Sequence, residues 1–240
     1  MCGLYYRTGS QWLPACTVIF YGSEKVRCLN FHTHYPTGSP SVEEIVNLRP
    51  GESSGVLPRL YSAGLHPWFL TEMSLNSDLE WLRSYAANAI AIGEAGLDKM
   101  VNVPASLQMA AFRACIVVSE ESGKPLIIHC VKAFDAVIAL KKSLKPAQPW
   151  IIHGFDKHPQ VAGELLRAGC YLSFGKALFN DRSHAARSLQ AVPADRFFLE
   201  TDDARDLEIE AVYVRAARIR GVTPEEMIAG GLGIDSIFML

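Results

Sequence analysis

Five of the seven histidines in this 240-residue chain, together with Glu94 and Asp202, stand at the ends of short apolar runs. His32 and His34 close CLNFHTH, His66 follows LYSAGL, Glu94 ends IAIGE, His129 ends LIIH, His153 ends WIIH and Asp202 ends FFLETD. Imidazoles and carboxylates are the donor set that first-row divalent metals accept. A lone carboxylate in apolar surroundings is costly unless paired or coordinated, and Glu94 and Asp202 both stand in that position. His32-Thr33-His34 sets two imidazoles on one face of an extended segment, because side chains alternate with period two. Each piece alone has a plainer reading. An isolated HxH is common, and a histidine ending an apolar run is ordinarily a hydrogen-bonded core residue. Their convergence on one face of a fold points instead to a shared metal site.

The elements that must bring them together are legible as an alternation. Apolar runs recur at residues 28–32, 44–47, 60–65, 90–94, 126–129, 150–153, 170–174 and 197–202. Most are continuous, as expected of strands buried on both faces of a parallel sheet. Between them, helical patterns cover 79–87, 104–121, 134–144, 159–168, 184–190 and 207–220. Ser77-Asp78 is placed to cap the first, Pro104 opens the second and Gly123 closes it. Thr223-Pro224-Glu225-Glu226 has the form of a capping box for one more. Eight such alternations predict a (β/α)₈ barrel, with an open doubly wound sheet as the alternative. Residues 35–43 (YPTGSPSVE) are too short and too rich in breakers for a full helix. In barrels of this kind the active site is built at the C-terminal ends of the strands, where the reactive residues fall.

Composition narrows the function classes. The chain is 49% hydrophobic and 20% charged with net charge -2, which excludes disorder and a broadly basic surface. Any nucleic acid must therefore be gripped by a local site rather than by bulk charge. The six cysteines form no CxxC pair, which excludes zinc-finger and thioredoxin-like spacing and predicts reduced, buried thiols. No stretch is apolar for the ~18 residues of a membrane span, so a cytoplasmic protein without a membrane partner is expected.

The series FHTH, GLHP, IGEAGLD, Gln108 to Phe112, PLIIH, IIHGF, YLSFG and LETD resembles, in order and spacing, the TatD family. These are metal-dependent deoxyribonucleases of the amidohydrolase-like TIM-barrel superfamily. The likeness covers residues 28–240 and implies a distorted (β/α)₈ barrel holding two divalent ions, Mg, Mn or Zn. By this resemblance His32 and His34 bind the first ion with Asp202, Glu94 bridges both, and His129 with His153 binds the second. Asp202 and Glu94 are then the catalytic carboxylates, Asp202 also accepting the proton of the attacking water. His66, Lys132, Trp68 and Arg205 are the candidate substrate contacts. Four histidine ligands favour Zn²⁺, Fe²⁺, Ni²⁺ or Mn²⁺, whereas the resemblance implies Mg²⁺-supported activity.

The chain departs from the family pattern in three places. Val131 stands where an arginine is usual, leaving Lys132 as the substitute cation; Asp203-Ala204-Arg205-Asp206 replaces the usual Ser-Pro loop; and Asn30 replaces an aspartate. The acidic mouth predicts a substrate shorter than genomic DNA. The leading expectation is a phosphodiesterase or deoxyribonuclease acting on short or single-stranded DNA or another small ester, with no obligate protein partner. An acyl hydrolase (amidase, esterase or aminoacyl-ester deacylase) using the same two-metal water is the alternative, and a non-catalytic metal-dependent binding module a third. Glu200 is expected to pair with a cation, and Trp68, Phe69 and Trp81 to pack, with base stacking on Trp68 as the functional alternative. Residues 1–27 form an extension that the family pattern does not need, for which a strand pair turning at Tyr21-Gly22-Ser23 is one reading.

Overall fold

The computed structural model describes residues 28–52 and 55–231 and, ahead of them, the backbone of four short strands. Those strands form two antiparallel pairs, Tyr5–Thr8 with Gln11–Pro14 and Phe20–Tyr21 with Glu24–Lys25. The turn expected at residues 22–23 lies outside the described residues.

Eight parallel strands follow: β1 (Cys28–Thr33), β2 (Val42–Leu48), β3 (Tyr61–Ala63), β4 (Ala91–Asp98), β5 (Leu126–Val131), β6 (Trp150–Ile152), β7 (Cys170–Phe174) and β8 (Phe197–Leu199). They pair in sequence order, and the sheet curls into a nearly closed barrel. Closure comes just past β8: Asp202 N donates to the His32 carbonyl and His34 N to the Asp202 carbonyl, each at 3.0 Å. Asn30 reinforces this edge, donating from Nδ2 to Thr201 Oγ1 and accepting from Thr201 N. An aspartate could accept there but not donate, which gives Asn30 a structural reason.

Helices α1 (Leu75–Ala86), α2 (Ala105–Ser122), α3 (Phe134–Leu144), α4 (Pro159–Arg167), α5 (Ala185–Ala191), α6 (Ile209–Arg220) and α7 (Pro224–Ala229) follow the later strands. The expected alternation is incomplete. Among the described residues no helix lies between β1 and β2 or between β2 and β3. The first crossover is only residues 34–41, and Glu44 holds it by accepting from Thr37 N and Gly38 N at 2.9 Å each. Helix α1 begins at Leu75, so Ser77 and Asp78 lie inside its first turn rather than capping it. Asp78 instead accepts from Ser74 Oγ at 2.7 Å. The capping box at Thr223 and Glu226 is present.

The core has two layers. A small inner plug of Leu29, Phe31, Ile45, Ala91, Ile127, Ile151 and Phe198 fills the barrel, with Phe31 and Phe198 stacked at 4.1 Å. A larger layer packs the outward strand residues, Trp150 and Phe174 among them, against the helices. Inner residues recur with period two, so the next inward positions on β5 and β6 are His129 and His153, above the plug. On β1 and β4 strict alternation would turn His32 and Glu94 away from the axis. The strand register shifts between Asn30 and Thr33 and between Ile92 and Ala95, and these irregularities re-aim both side chains into the mouth.

Candidate metal centre

At the C-terminal mouth one carboxylate gathers five imidazoles. Glu94 lies 2.6 Å from His153 Nε2, 2.7 Å from His129 Nδ1, 3.0 Å from His66 Nε2, 3.3 Å from His32 Nε2 and 3.4 Å from His34 Nε2. Asp202 Oδ1 is 3.7 Å from both His32 and His34. All of these residues except His34 and Asp202 are buried, and those two open toward solvent. Asp202 itself sits past the end of β8 with φ of 54°.

The electrostatics follow from this crowding. Burial alone would raise the Glu94 carboxyl, but His153, His129 and His32 pull it well below the usual carboxylate range. Burial would lower His153, yet Glu94 and Glu200 lift it well above an ordinary imidazole. Asp202, raised by burial, is lowered overall by His153 and His32. Burial leaves His66 below its ordinary value despite Glu94. His66 Nδ1 accepts from Trp68 N at 3.1 Å, so the neutral ring carries its proton on Nε2. Facing the site it is a hydrogen-bond donor.

The residues fit a divalent cation. Both ring nitrogens of His32 and Nδ1 of His153 are buried without hydrogen-bond partners, a costly state that coordination would relieve. Three groups bring one donor atom per residue within 4.8 Å of each other: His32, His34 and Glu94; His32, His153 and Asp202; His66, Glu94 and His129. Manganese or zinc at a hundred times its dissociation constant would stabilise the fold by about 2.7 kcal/mol. At ~2–4 °C per kcal/mol for a chain of this size, thermal unfolding should rise by roughly 5–10 °C. A melting temperature indifferent to every divalent ion tested would remove the centre.

Several neighbours were not singled out by the sequence. Asp98 Oδ2 contacts His129 Nε2 at 3.1 Å and accepts from the Trp68 indole at 2.7 Å, so it fixes both rings. Asn47 Oδ1 accepts from Glu94 N at 2.8 Å and from Ser62 Oγ at 3.1 Å. Asn47 and Arg49 follow the inward-facing Ile45 at intervals of two, a signal that could have found them. Glu200 is fully buried, accepts from Gly154 N at 2.6 Å and lies 3.7 Å from His153 Nδ1. Its expected cation is thus an imidazole rather than a lysine or arginine.

The mouth, a cavity of about 250 Å³, is rimmed by aromatic rings. Tyr35, Trp68 and Phe69 are 42%, 54% and 50% exposed, so Trp68 and Phe69 are not core packing. The Arg205 guanidinium lies 4.0 Å over Tyr35, and that of Arg49 3.8 Å over Phe69. Lys132 is a candidate that the cavity lining does not include. It is exposed and has φ of 54° just past β5. Lys176, paired with Asp203 and 3.7 Å from Asp202, is the cation nearest the carboxylates instead.

Residues 50–229 match the family model described as TatD related DNase. A metal-dependent hydrolase of Bacillus subtilis, YabD, is 34% identical over 149 residues, 60% of this chain and 58% of that protein. The Escherichia coli metal-dependent hydrolase YcfH is 30% identical over 196 residues, 74% of this chain and 71% of its own. A protein named 3'-5' ssDNA/RNA exonuclease TatD from Edwardsiella piscicida is 34% identical, over 59% of this chain and 56% of that one. The chain therefore spans somewhat over half the length of the Bacillus and Edwardsiella relatives. Among solved structures, the TatD homologue YJJV of E. coli superposes with a TM-score of 0.75 at 20% identity, over 89% of this chain and 98% of its own. His32 and His34 precede the matched residues, yet the barrel brings them onto the same carboxylate as His129 and His153. The chain belongs to the TatD related DNase family.

Proposed function

We propose that the protein is a metal-dependent phosphodiesterase that cleaves short or single-stranded DNA. The observation that carries the reading is Glu94, a buried carboxylate within 2.6–3.4 Å of five imidazoles at an open, aromatic-rimmed mouth. In this reading His32, His34 and Asp202 would hold one divalent ion and His129 with His153 a second, with Glu94 as the carboxylate available to both sets. A divalent ion bound there supplies Lewis acidity, lowering the pKa of water from about 15.7 toward ~7.

The chain's own groups do the rest. Asp202, the most open carboxylate of the cluster, takes the proton of the attacking water at Oδ1. His66 donates from Nε2 toward the leaving oxygen, and Asp98 holds the His129 ring against rotation. Trp68, pinned through its indole N–H, and Tyr35, backed by Arg205, offer faces on which bases stack without sequence preference, the mode by which single strands are held. With Lys132 outside the cavity lining, phosphate charge would be met by the bound ions, Arg49 and Lys176. The name of the Edwardsiella relative supports the same substrate class.

The test is a chelator-treated sample assayed on an end-labelled single-stranded oligonucleotide with Mg²⁺, Mn²⁺ or Zn²⁺ added back. Stepwise shortening that disappears with chelator is expected. No cleavage with any ion, combined with hydrolysis of carboxylic esters or amides, would replace this reading by the acyl-hydrolase one.

A further inference from the structure

A second cavity, of about 280 Å³, opens beside the mouth. Arg49, His66 and Phe69 line both spaces, so the two are neighbours that share those three side chains as a common wall. The mechanism above uses none of the second cavity's far wall. That wall is Ser74 and Asp78 at the start of α1, and Leu65 and Leu70 give it apolar lining. The Phe69–Arg49 stack belongs to the shared wall, with Arg49 Nε held by Glu52 at 2.9 Å.

The wall chemistry specifies a class of ligand. Phe69 with the planar Arg49 guanidinium stacked over its ring makes a flat wall that favours a planar ring system. The volume lies just under the ~300–1,000 Å³ of sites that hold drug-sized ligands, which leaves room for one ring system and not for a dinucleotide. Asp78 excludes phosphate from the far end and demands hydrogen-bond donors there. Its Oδ2 already accepts from Ser74 Oγ, itself 2.8 Å from Thr71 Oγ1, while Oδ1 has no partner among the described residues. A carboxylate only accepts, and a half-buried one prefers the N–H groups of an amino-bearing base to the carbonyls of thymine.

We propose that this cavity is a base-recognition subsite for the nucleotide next to the cleaved bond, with Asp78 selecting guanine, whose N1–H and N2–H face a carboxylate together, over thymine. The proposal rests on the nucleic-acid reading of the metal centre. It names a specificity determinant outside that centre, on α1.

The experiment is calorimetric binding of dGMP, dAMP, dCMP and dTMP to the full chain loaded with Mn²⁺. A dGMP affinity about tenfold above that of dTMP is expected, from hydrogen bonds to a charged acceptor. Asp78→Asn, whose amide turns a donor toward the base, should erase the preference while the far-UV spectrum and the thermal shift on Mn²⁺ stay as in the wild type. Phe69→Ala should weaken all four nucleotides by about tenfold, through lost stacking, and keep their ranking. Equal affinities for the four, or a preference that survives Asp78→Asn, would overturn the proposal. Hydrolysis of bis(p-nitrophenyl) phosphate by the wild type, a substrate without a base, reads the phosphodiesterase assignment separately. If that fails while the nucleotide ranking holds, the subsite stands and the reaction assignment falls.

Discussion

Glu94→Gln lowers turnover by on the order of 10³-fold or more at saturating metal, with the fold intact. The substitution keeps shape and burial and removes only the charge. Two of the three donor groups, His32–His34–Glu94 and His66–Glu94–His129, then contain neutral donors alone. The glutamine must also aim its NH₂ at imidazoles that now meet a carboxylate from several sides. Asp202→Asn strips the charge from one group, and that group keeps His32 and His153. Its loss should therefore be smaller in bound metal, though comparable in rate if Asp202 receives the water's proton. Initial rates together with elemental analysis of the dialysed proteins check both. Glu94→Gln turning over within tenfold of wild type, with its metal retained, would dismantle the two-ion assignment.

Gly96→Ala is the largest stability effect expected, about 4 kcal/mol or more. Gly96 has φ of 153°, a conformation that side-chain-bearing residues rarely adopt, and pairs with His129 across β4 and β5. A methyl group there would fall on the carbonyl oxygen of His129, backbone against backbone, with no flexible end to give way. The cost combines strained dihedrals with a forced separation of two buried strands. It also reaches the site, because the strand that must move carries the His129 ring held between Glu94 and Asp98. Urea unfolding reads the first effect and Mn²⁺ affinity the second. A loss under 1 kcal/mol would mean the two strands separate freely at this point.

These two residues share one stretch of sequence, IGEAGLD, and show how far sequence could be read. The carboxylate was legible because an acid ending an apolar run needs a partner. The glycine beyond it reads as part of a motif, but its reason is a close strand approach that only three dimensions reveal. Asp98, in the same stretch, gave no signal of its own, since its partners Trp68 and His129 lie 30 and 31 residues away. The barrel was legible from its apolar runs, and the breaker-rich residues 35–43 rightly announced a missing helix. The second missing helix, between β2 and β3, was not announced. The start of α1 was misread because Ser77-Asp78 has the chemistry of a cap, while the hydroxyls of Thr71 and Ser74 organise that turn. Lys132 was singled out by its charge, but it sits exposed at a left-handed φ after β5 and outside the cavity lining, which residue type does not foretell.

The barrel's closure has a consequence for how tightly it can hold an ion. Its last edge is no full ladder: two main-chain hydrogen bonds at His32, His34 and Asp202, the Asn30–Thr201 pair and the Phe31–Phe198 stack span it. His32 and Asp202, which would share one ion, lie on the two lips of this seam. An ion bound there acts as a clasp. Local opening along the seam and ion release are coupled, so the ion's affinity falls by the fraction of molecules whose seam is open, and every ion bound slows amide exchange across it.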